Sequence, residues 1–224
     1  MKNKRFSGEG IRLKVPVYRQ NYDFTCGPAS LIMAMKYFEP GIQLSEELEI
    51  DIWREANMVE LYGTSRYGLA YSAAARGFKV KVLSNRKSYG YVDRLQPAIE
   101  CINRRMLKLL FEERRRRCLV MGVDEEIVTI TPEILRKAIL SKMVPIMLTS
   151  TDWFSREDIP HWVAVTGIKD NNTVYINNPI GPPIARIVRK PFEEIAGYKG
   201  DQCAVLIGRR HASTSAAAVE NQKQ

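Results

Sequence analysis

The chain has 224 residues, 45% of them hydrophobic, and a formal net charge of +9. That is enough apolar material for one folded core, or for two small lobes sharing one. The sequence has no charged start followed by an apolar h-region, and no apolar run approaches the roughly 20 residues of a membrane span, so a soluble, cytoplasmic protein is expected.

Residues 1–10 read as a loose start. Residues 11–18, IRLKVPVY, alternate as a strand does, and Pro16 suits a sheet edge. Helix signals begin near residue 27, where Pro28 fits a first turn and Leu31, Met35 and Phe38 form an apolar stripe beside Ile32. Pro40-Gly41 ends that helix. Ser45 can cap a second, with Glu46 and Glu47 in its first turn and Leu48, Ile52 and Trp53 on its buried side. YGLAYSAAARGF reads as a third helix stopped by Gly77, ahead of a strand FKVKVLS. Ile99, Ile102, Met106 and Leu110 repeat at helical spacing, so a fourth helix runs toward Arg114–Arg117. Thr131-Pro132-Glu133 opens a fifth. From there the pattern turns to strands at 144–150, 161–168, 173–178 and 203–208. The order predicts an α+β fold, with a helical first part packed against a C-terminal antiparallel sheet and a cleft between them. Residues 11–210 form the expected domain. The tail, 211–224, is polar and small and is expected to be disordered.

The reactive inventory is short. Cys26, Cys101, Cys118 and Cys203 are widely spread with no C-x-x-C pair, which argues against disulfides in a cytosolic chain. His161 and His211 are the only histidines. A His-rich metal site is therefore excluded, the spacing fits no Cys/His zinc site, and no cofactor is implied. The positive balance permits acidic partners, but a solvated helix face is the favoured reading of Arg114–Arg117. No helix-turn-helix, zinc finger or RNP motif supports a nucleic-acid partner.

Cys26 stands where a helix is about to begin, and the partial positive charge of a helix N-terminus lowers a thiol pKa. Gly27 lets the backbone bend and lets a substrate approach. A nucleophilic cysteine needs a base. His211 leads into the tail, so His161, at the start of a strand, is the candidate. Gln20, six residues before the thiol, can offer an amide N–H to an oxyanion together with the Cys26 backbone N–H.

The base in turn needs an orienting acceptor. HWVAVTGIKDNNTVYINNP reads as a hairpin turning near Asp170–Asn172. With Asp170-Asn171 as the loop, opposed residues sum to 341, and Asn178 lies diagonally from His161 on the same face. A loop one residue longer selects Asn177 instead, because strand side chains alternate.

Gln20, DFTCGPASLIMAM, HWVAVTGI and VYINNP together resemble the C39 peptidase pattern of the papain-like cysteine peptidases. IDIWREANMVELYGTSRYG and VPIMLTSTDW sharpen this toward stand-alone C39-like proteins of bacteria and archaea, often found beside acetyltransferase domains. The resemblance spans about residues 12–208. It implies Cys26 as nucleophile, His161 as base, Asn178 as orienter and Gln20 as oxyanion donor, on a papain-like fold. It also implies a peptide or protein substrate, and an acetyltransferase-containing partner by analogy. C39 exporter peptidases carry Asp before the proline. Asn178 departs from that and matches papain-like enzymes, orienting the imidazole while stabilising imidazolium less. This chain shows no nucleotide-binding G-x-x-x-x-G-K-[ST] loop, and the exporters' double-glycine specificity is not carried over. The expected activity is cysteine hydrolysis of a peptide or amide. Acyl transfer to an amine and a non-catalytic peptide-binding module are the alternatives.

Overall fold

The structure, a computed structural model, describes residues 10–58, 62–88, 103–170, 172–181 and 187–210. Residues 1–9 of the expected loose N-terminus (1–10), the expected disordered tail (211–224), Ile99 and Ile102 of the fourth helix, Cys101 and His211 all lie outside them.

The elements run in chain order as β1 (Ile11–Arg12), α1 (Cys26–Phe38), α2 (Glu46–Ala56), α3 (Arg66–Ala75), β2 (Phe78–Ser84) and α4 (Arg104–Val120), then β3 (Asp124–Ile127), α5 (Pro132–Leu140), β4 (Val144–Ser150), β5 (Pro160–Ile168), β6 (Thr173–Asn177), β7 (Ile187–Pro191), α6 (Phe192–Ile195) and β8 (Cys203–Arg210). Helix starts follow their capping residues. Ser45 Oγ accepts from Leu48 N–H and Thr131 Oγ1 from Ile134 N–H, each at 3.3 Å;. Gly77, with φ 81, takes the left-handed position that closes α3;.

The α+β arrangement expected from the sequence is the one observed. Among the described residues, all the strands belong to one 8-stranded sheet, ordered β3-β2-β8-β4-β5-β6-β7, with β1 added to β5. The sheet is mixed, because β3 pairs parallel with β2 while the other pairings are antiparallel. β3, β7 and α6 were not legible in the sequence. β3 reads DEEI and lies at a sheet edge with mostly exposed side chains, so it has no apolar alternation to announce it;.

α1 is buried from Cys26 through Met35, and it packs on β4, β5 and β8. The sequence pattern suggested one apolar stripe, but helix and strands enclose α1 on all sides. β4 is buried at every position, and α5 also packs on β4 and β5. α2 and α3 pack on α1 and on each other, and α4 packs on α3. α2 departs from its expected face. Its buried residues are Glu49, Ile52 and Ala56, while Leu48 and Trp53 are only half-buried. β1 is shorter than the expected strand over 11–18, yet the chain after it stays on the sheet through Leu13 N–H donating to Thr166 O at 2.7 Å.

The run Arg114–Arg117 on α4 is partnered. Arg115 bridges to Glu112 and Glu125, and Arg116 and Arg117 both bridge to Glu113. Arg114 donates to Asn57 O. This run is therefore largely neutralised by its own helix and by β3, in line with a solvated face. Among the described residues, no helix is long and apolar enough to cross a membrane.

The α2–α3 contact turns on Gly68. A Cβ there would sit 2.4 Å from Ala56 O and 2.6 Å from Ala56 Cα, both backbone atoms. Ala for Gly within a helix normally gains up to about 1 kcal/mol. Here the sign reverses: Gly68→Ala is expected to lower unfolding free energy by about 1–3 kcal/mol, because the helices must separate. Gly41→Ala, where nothing lies within 4 Å, is expected to stay within about 0.5 kcal/mol of the parent;. Denaturant unfolding of both variants checks the contrast.

Candidate active site

α1 brings Cys26 to the sheet. Its first turn opens with Ala29 N–H donating to Thr25 O at 2.9 Å. One helical turn after Cys26, Ser30 Oγ donates to Trp162 O at 3.1 Å. The backbone of the same residue, Trp162, lies close enough to the Cys26 sulfur to draw its pKa down. The Trp162 indole Nε1–H meanwhile donates to Thr64 O at 3.2 Å. Helix α1 is thus docked on β5 at one residue, Trp162, which follows His161 directly. Gly27 serves this docking. A Cβ there would lie 2.2 Å from Thr64 Oγ1 and 3.2 Å from the Leu69 methyls. The expected role of Gly27, an opening for substrate, is corrected: this face of the residue meets packed side chains.

His161 opens β5 and is 1% exposed. The β5–β6 pairing decides which asparagine it faces. Near the turn, Ile168 pairs with Val174 and Gly167 with Tyr175, a sum of 342, one residue longer than the two-residue loop assumed above. A bulge between Val165 and Gly167 then shifts the register, so that Val165 pairs with Ile176 and Ala164 with Asn177, a sum of 341. The longer turn alone would have selected Asn177. The bulge reverses that, as one extra residue in a strand must. On the other side of β5, Gly167 lets β1 pair closely, because a Cβ there would lie 2.4 Å from Ile11 O.

His161 Nε2 lies 2.8 Å from Asn178 Oδ1. The same oxygen accepts from Ile180 N–H at 3.2 Å. A backbone N–H can only donate, so the Asn178 atom must be oxygen, and the histidine nitrogen facing it must carry hydrogen. The neutral imidazole is therefore the Nε2–H tautomer, and Nδ1 is left with its lone pair. Asn177 does something else: its Nδ2 donates to Val15 O at 3.0 Å and Pro16 O at 3.3 Å. It ties the N-terminal segment to the sheet.

That segment delivers Gln20. Gln20 N–H donates to Pro179 O at 3.1 Å, beside Asn178. Its side-chain Nε2 donates to Tyr22 O at 2.7 Å. An amide carries two N–H bonds, so one remains beyond that contact. Gln20 Oε1 is buried and has no hydrogen-bond partner among the described residues.

The loop between β4 and β5 crosses this end of the sheet. Phe154 lies edge-on to the His161 ring with centroids 5.3 Å apart, and Trp153 packs on Phe154 at 4.5 Å. The loop is closed by Thr151 N–H to Ile159 O at 3.0 Å and Ser150 Oγ to Asp158 Oδ1 at 2.7 Å.

Burial sets the protonation states. It pushes the Cys26 thiol up to about 11, against hydrogen bonds from backbone groups of Trp162 and Gly27 that pull it down. The expectation that the helix N-terminus leaves a lowered thiol is corrected: desolvation outweighs it. Burial likewise lowers His161 to about 4, with the Asn178 hydrogen bond opposing. Burial thus favours the neutral form of each side chain;. Cys118 and Cys203 are also buried, and burial pushes both up to about 12. No cluster of three or more His, Cys, Asp or Glu that could hold a metal occurs among the described residues.

Residues 15–186 match the family described as Peptidase_C39 like. The chain belongs to that family. Its fold is α+β, with the sequence motifs around Cys26 and His161 both inside the matched range. Two solved structures are similar over most of their length. One is a double glycine motif protease from an AMS/PCAT transporter in complex with the leader peptide. It has 19% identity and a TM-score of 0.48, covering 88% of this chain and 94% of that one. The other is the peptidase domain of Streptococcus ComA, a bifunctional ABC transporter of a quorum-sensing pathway. It has 14% identity and a TM-score of 0.49, covering 88% and 99%. Comparison with curated proteins finds no match.

Two outcomes follow from the neutral pair. Iodoacetamide alkylation of Cys26, followed by peptide mass spectrometry, is expected to rise about tenfold per pH unit toward pH 11, as the thiolate fraction does;. A rate that is flat above pH 5 would indicate a thiolate–imidazolium pair at rest. The second concerns stability. His161 binds its proton near 4 folded but near 6.5 unfolded, so its contribution is complete above 6.5 and is lost as pH falls toward 4;. Tm of the parent is expected to drop over that window more steeply than Tm of His161→Gln.

Proposed function

We propose that the protein is a cysteine hydrolase that cleaves a peptide or amide bond through a Cys26 acyl-enzyme. The observation that carries the reading is the fixed tautomer of His161. Its Nε2–H is held on Asn178 Oδ1, and its Nδ1 lone pair is left on the strand residue next to Trp162, whose backbone lies beside the Cys26 sulfur. Membership of a peptidase-like family supports it.

In this reading Nδ1 takes the Cys26 proton as sulfur attacks the substrate carbonyl carbon. The C–S bond forms, and the carbonyl π pair moves onto oxygen. The remaining Gln20 amide N–H and the Cys26 backbone N–H stabilise that oxyanion. Collapse breaks the C–N bond, and the imidazolium gives its proton to the departing amine. Nδ1 then deprotonates water, which attacks the thioester carbonyl. The C–S bond breaks, the imidazolium returns its proton to sulfur, and the acid is released with the thiol restored. Asn178 keeps the ring in plane throughout. Because the resting pair is neutral, the thiolate is formed during turnover, and proton transfer is coupled to attack.

Tandem mass spectrometry of peptides from cell extract treated with the protein tests this reading. Cys26→Ala and His161→Ala are expected to yield no cleaved products. Gln20→Ala is expected to retain cleavage reduced by about 10²–10³-fold. Asn178→Ala should fall between them. Unreduced cleavage by Cys26→Ala contradicts the reading. Products that carry an added amine in place of water would instead establish acyl transfer.

A further inference from the structure

Glu49 takes no part in the chemistry above, yet it is a fully buried acid on α2, 0% exposed. Among the described residues no lysine or arginine pairs with it. Its donors all come from residues 18–25, the segment that joins Gln20 to Cys26. Oε1 accepts from Asn21 N–H at 2.9 Å and from the Thr25 hydroxyl. Oε2 accepts from Tyr18 OH at 2.8 Å and from Asn21 Nδ2 at 2.6 Å. Four donors occupy the four acceptor positions of one carboxylate. Asn21 follows Gln20, and Thr25 precedes Cys26, so Glu49 grips both ends of the loop between them.

The route from Glu49 to Gln20 runs through one carbonyl. Tyr22 O accepts from Gln20 Nε2 at 2.7 Å and from Thr25 N–H at 3.2 Å, which fills its two lone pairs. The Thr25 hydroxyl also lies 2.8 Å from Tyr22 O, but it has one proton. The Glu49 carboxylate is the stronger acceptor and draws that proton away. Without it, the Thr25 hydroxyl turns to Tyr22 O and competes there with Gln20 Nε2.

We propose that Glu49 is a positioning residue. It sets Gln20 relative to Cys26 by holding residues 18–25 and keeping Tyr22 O free for the Gln20 amide. This rests on the reading of Gln20 as an oxyanion donor. Glu49→Gln is the sharpest change, because it keeps the shape while turning one oxygen into an N–H₂ that faces two donors.

The test separates the oxyanion from the nucleophile. A peptide aldehyde, acetyl-dialanyl-alaninal, adds the Cys26 S–H across its C=O; the C–S bond forms, and the oxygen sits where the oxyanion would. Iodoacetamide alkylates the same sulfur, loses iodide and builds no oxyanion. Glu49→Gln is expected to weaken aldehyde binding by about 10–100-fold, as Gln20→Ala does, with alkylation changed less than about threefold. The double variant is expected to bind no more weakly than the weaker single one, since both act on one interaction. Should Glu49→Gln fail to fold, Asn21→Ala removes a donor from an exposed residue. It is expected to weaken aldehyde binding several-fold while sparing alkylation. Unchanged aldehyde affinity, additive losses, or aldehyde and alkylation falling together with Tm would overturn the proposal. A parent protein that takes up no aldehyde, or takes it up without Cys26, overturns the site reading and this proposal with it. Normal uptake by the parent with no effect of Glu49→Gln overturns this proposal alone.

Discussion

The site depends on one residue, Trp162. Its backbone meets the Cys26 thiol and the Ser30 hydroxyl from successive turns of α1, and its indole donates to Thr64 ahead of α3. A helix end and a strand start, 135 positions apart in sequence (161 less 26), are fixed side by side through it. The burial of Leu31, Ile32, Met33 and Met35 holds the helix there, each side chain worth roughly 1.5–3 kcal/mol of transfer free energy;. Those residues lie on the same helix as the thiol, so core packing and the placement of Cys26 are one event. The polar contacts to Trp162 add register: they decide which residue of β5 the first turn meets.

The same close packing sets the electrostatics. Cys26 and His161 are both withdrawn from water, and desolvation opposes charge on each;. Asn178 is a neutral partner, so it fixes the direction of the ring without stabilising imidazolium as a carboxylate would. A buried thiol, a buried neutral imidazole and a neutral orienter are mutually consistent, since no member demands a charge the others cannot support. Glu49 stands apart from this group. It is a buried acid whose compensation comes from four hydrogen bonds to one loop.

Much of this was legible in the sequence. The helix starts were written in Ser45 and Thr131, and both cap as read. The strands at 144–150 and around 161–168 carried enough apolar character to be located to within a residue. The register of the β5–β6 hairpin was legible only by compensation. The turn is longer than assumed, and a bulge that a single sequence does not announce restores the expected sum. Two features had weak signals. β3 is acidic and at the edge, where pairing is decided by the neighbouring strand. Glu49 hides among the acids at the start of α2, and only its i, i+3, i+7 spacing with Ile52 and Ala56 marks it as buried;. The thiol's protonation state was misread because a helix terminus can be judged from sequence, whereas burial on three sides cannot.

The central claim is that His161 is a neutral imidazole with hydrogen on Nε2 and a lone pair on Nδ1. The chain has two histidines, so imidazole ¹⁵N resonances are few. The ¹⁵N chemical shifts of His161, followed with pH, report both the charge and the tautomer directly. The account requires an Nε2–H tautomer unchanged from pH 9 down to pH 5, with protonation only near 4. An imidazolium across that range, or an Nδ1–H tautomer, would contradict it.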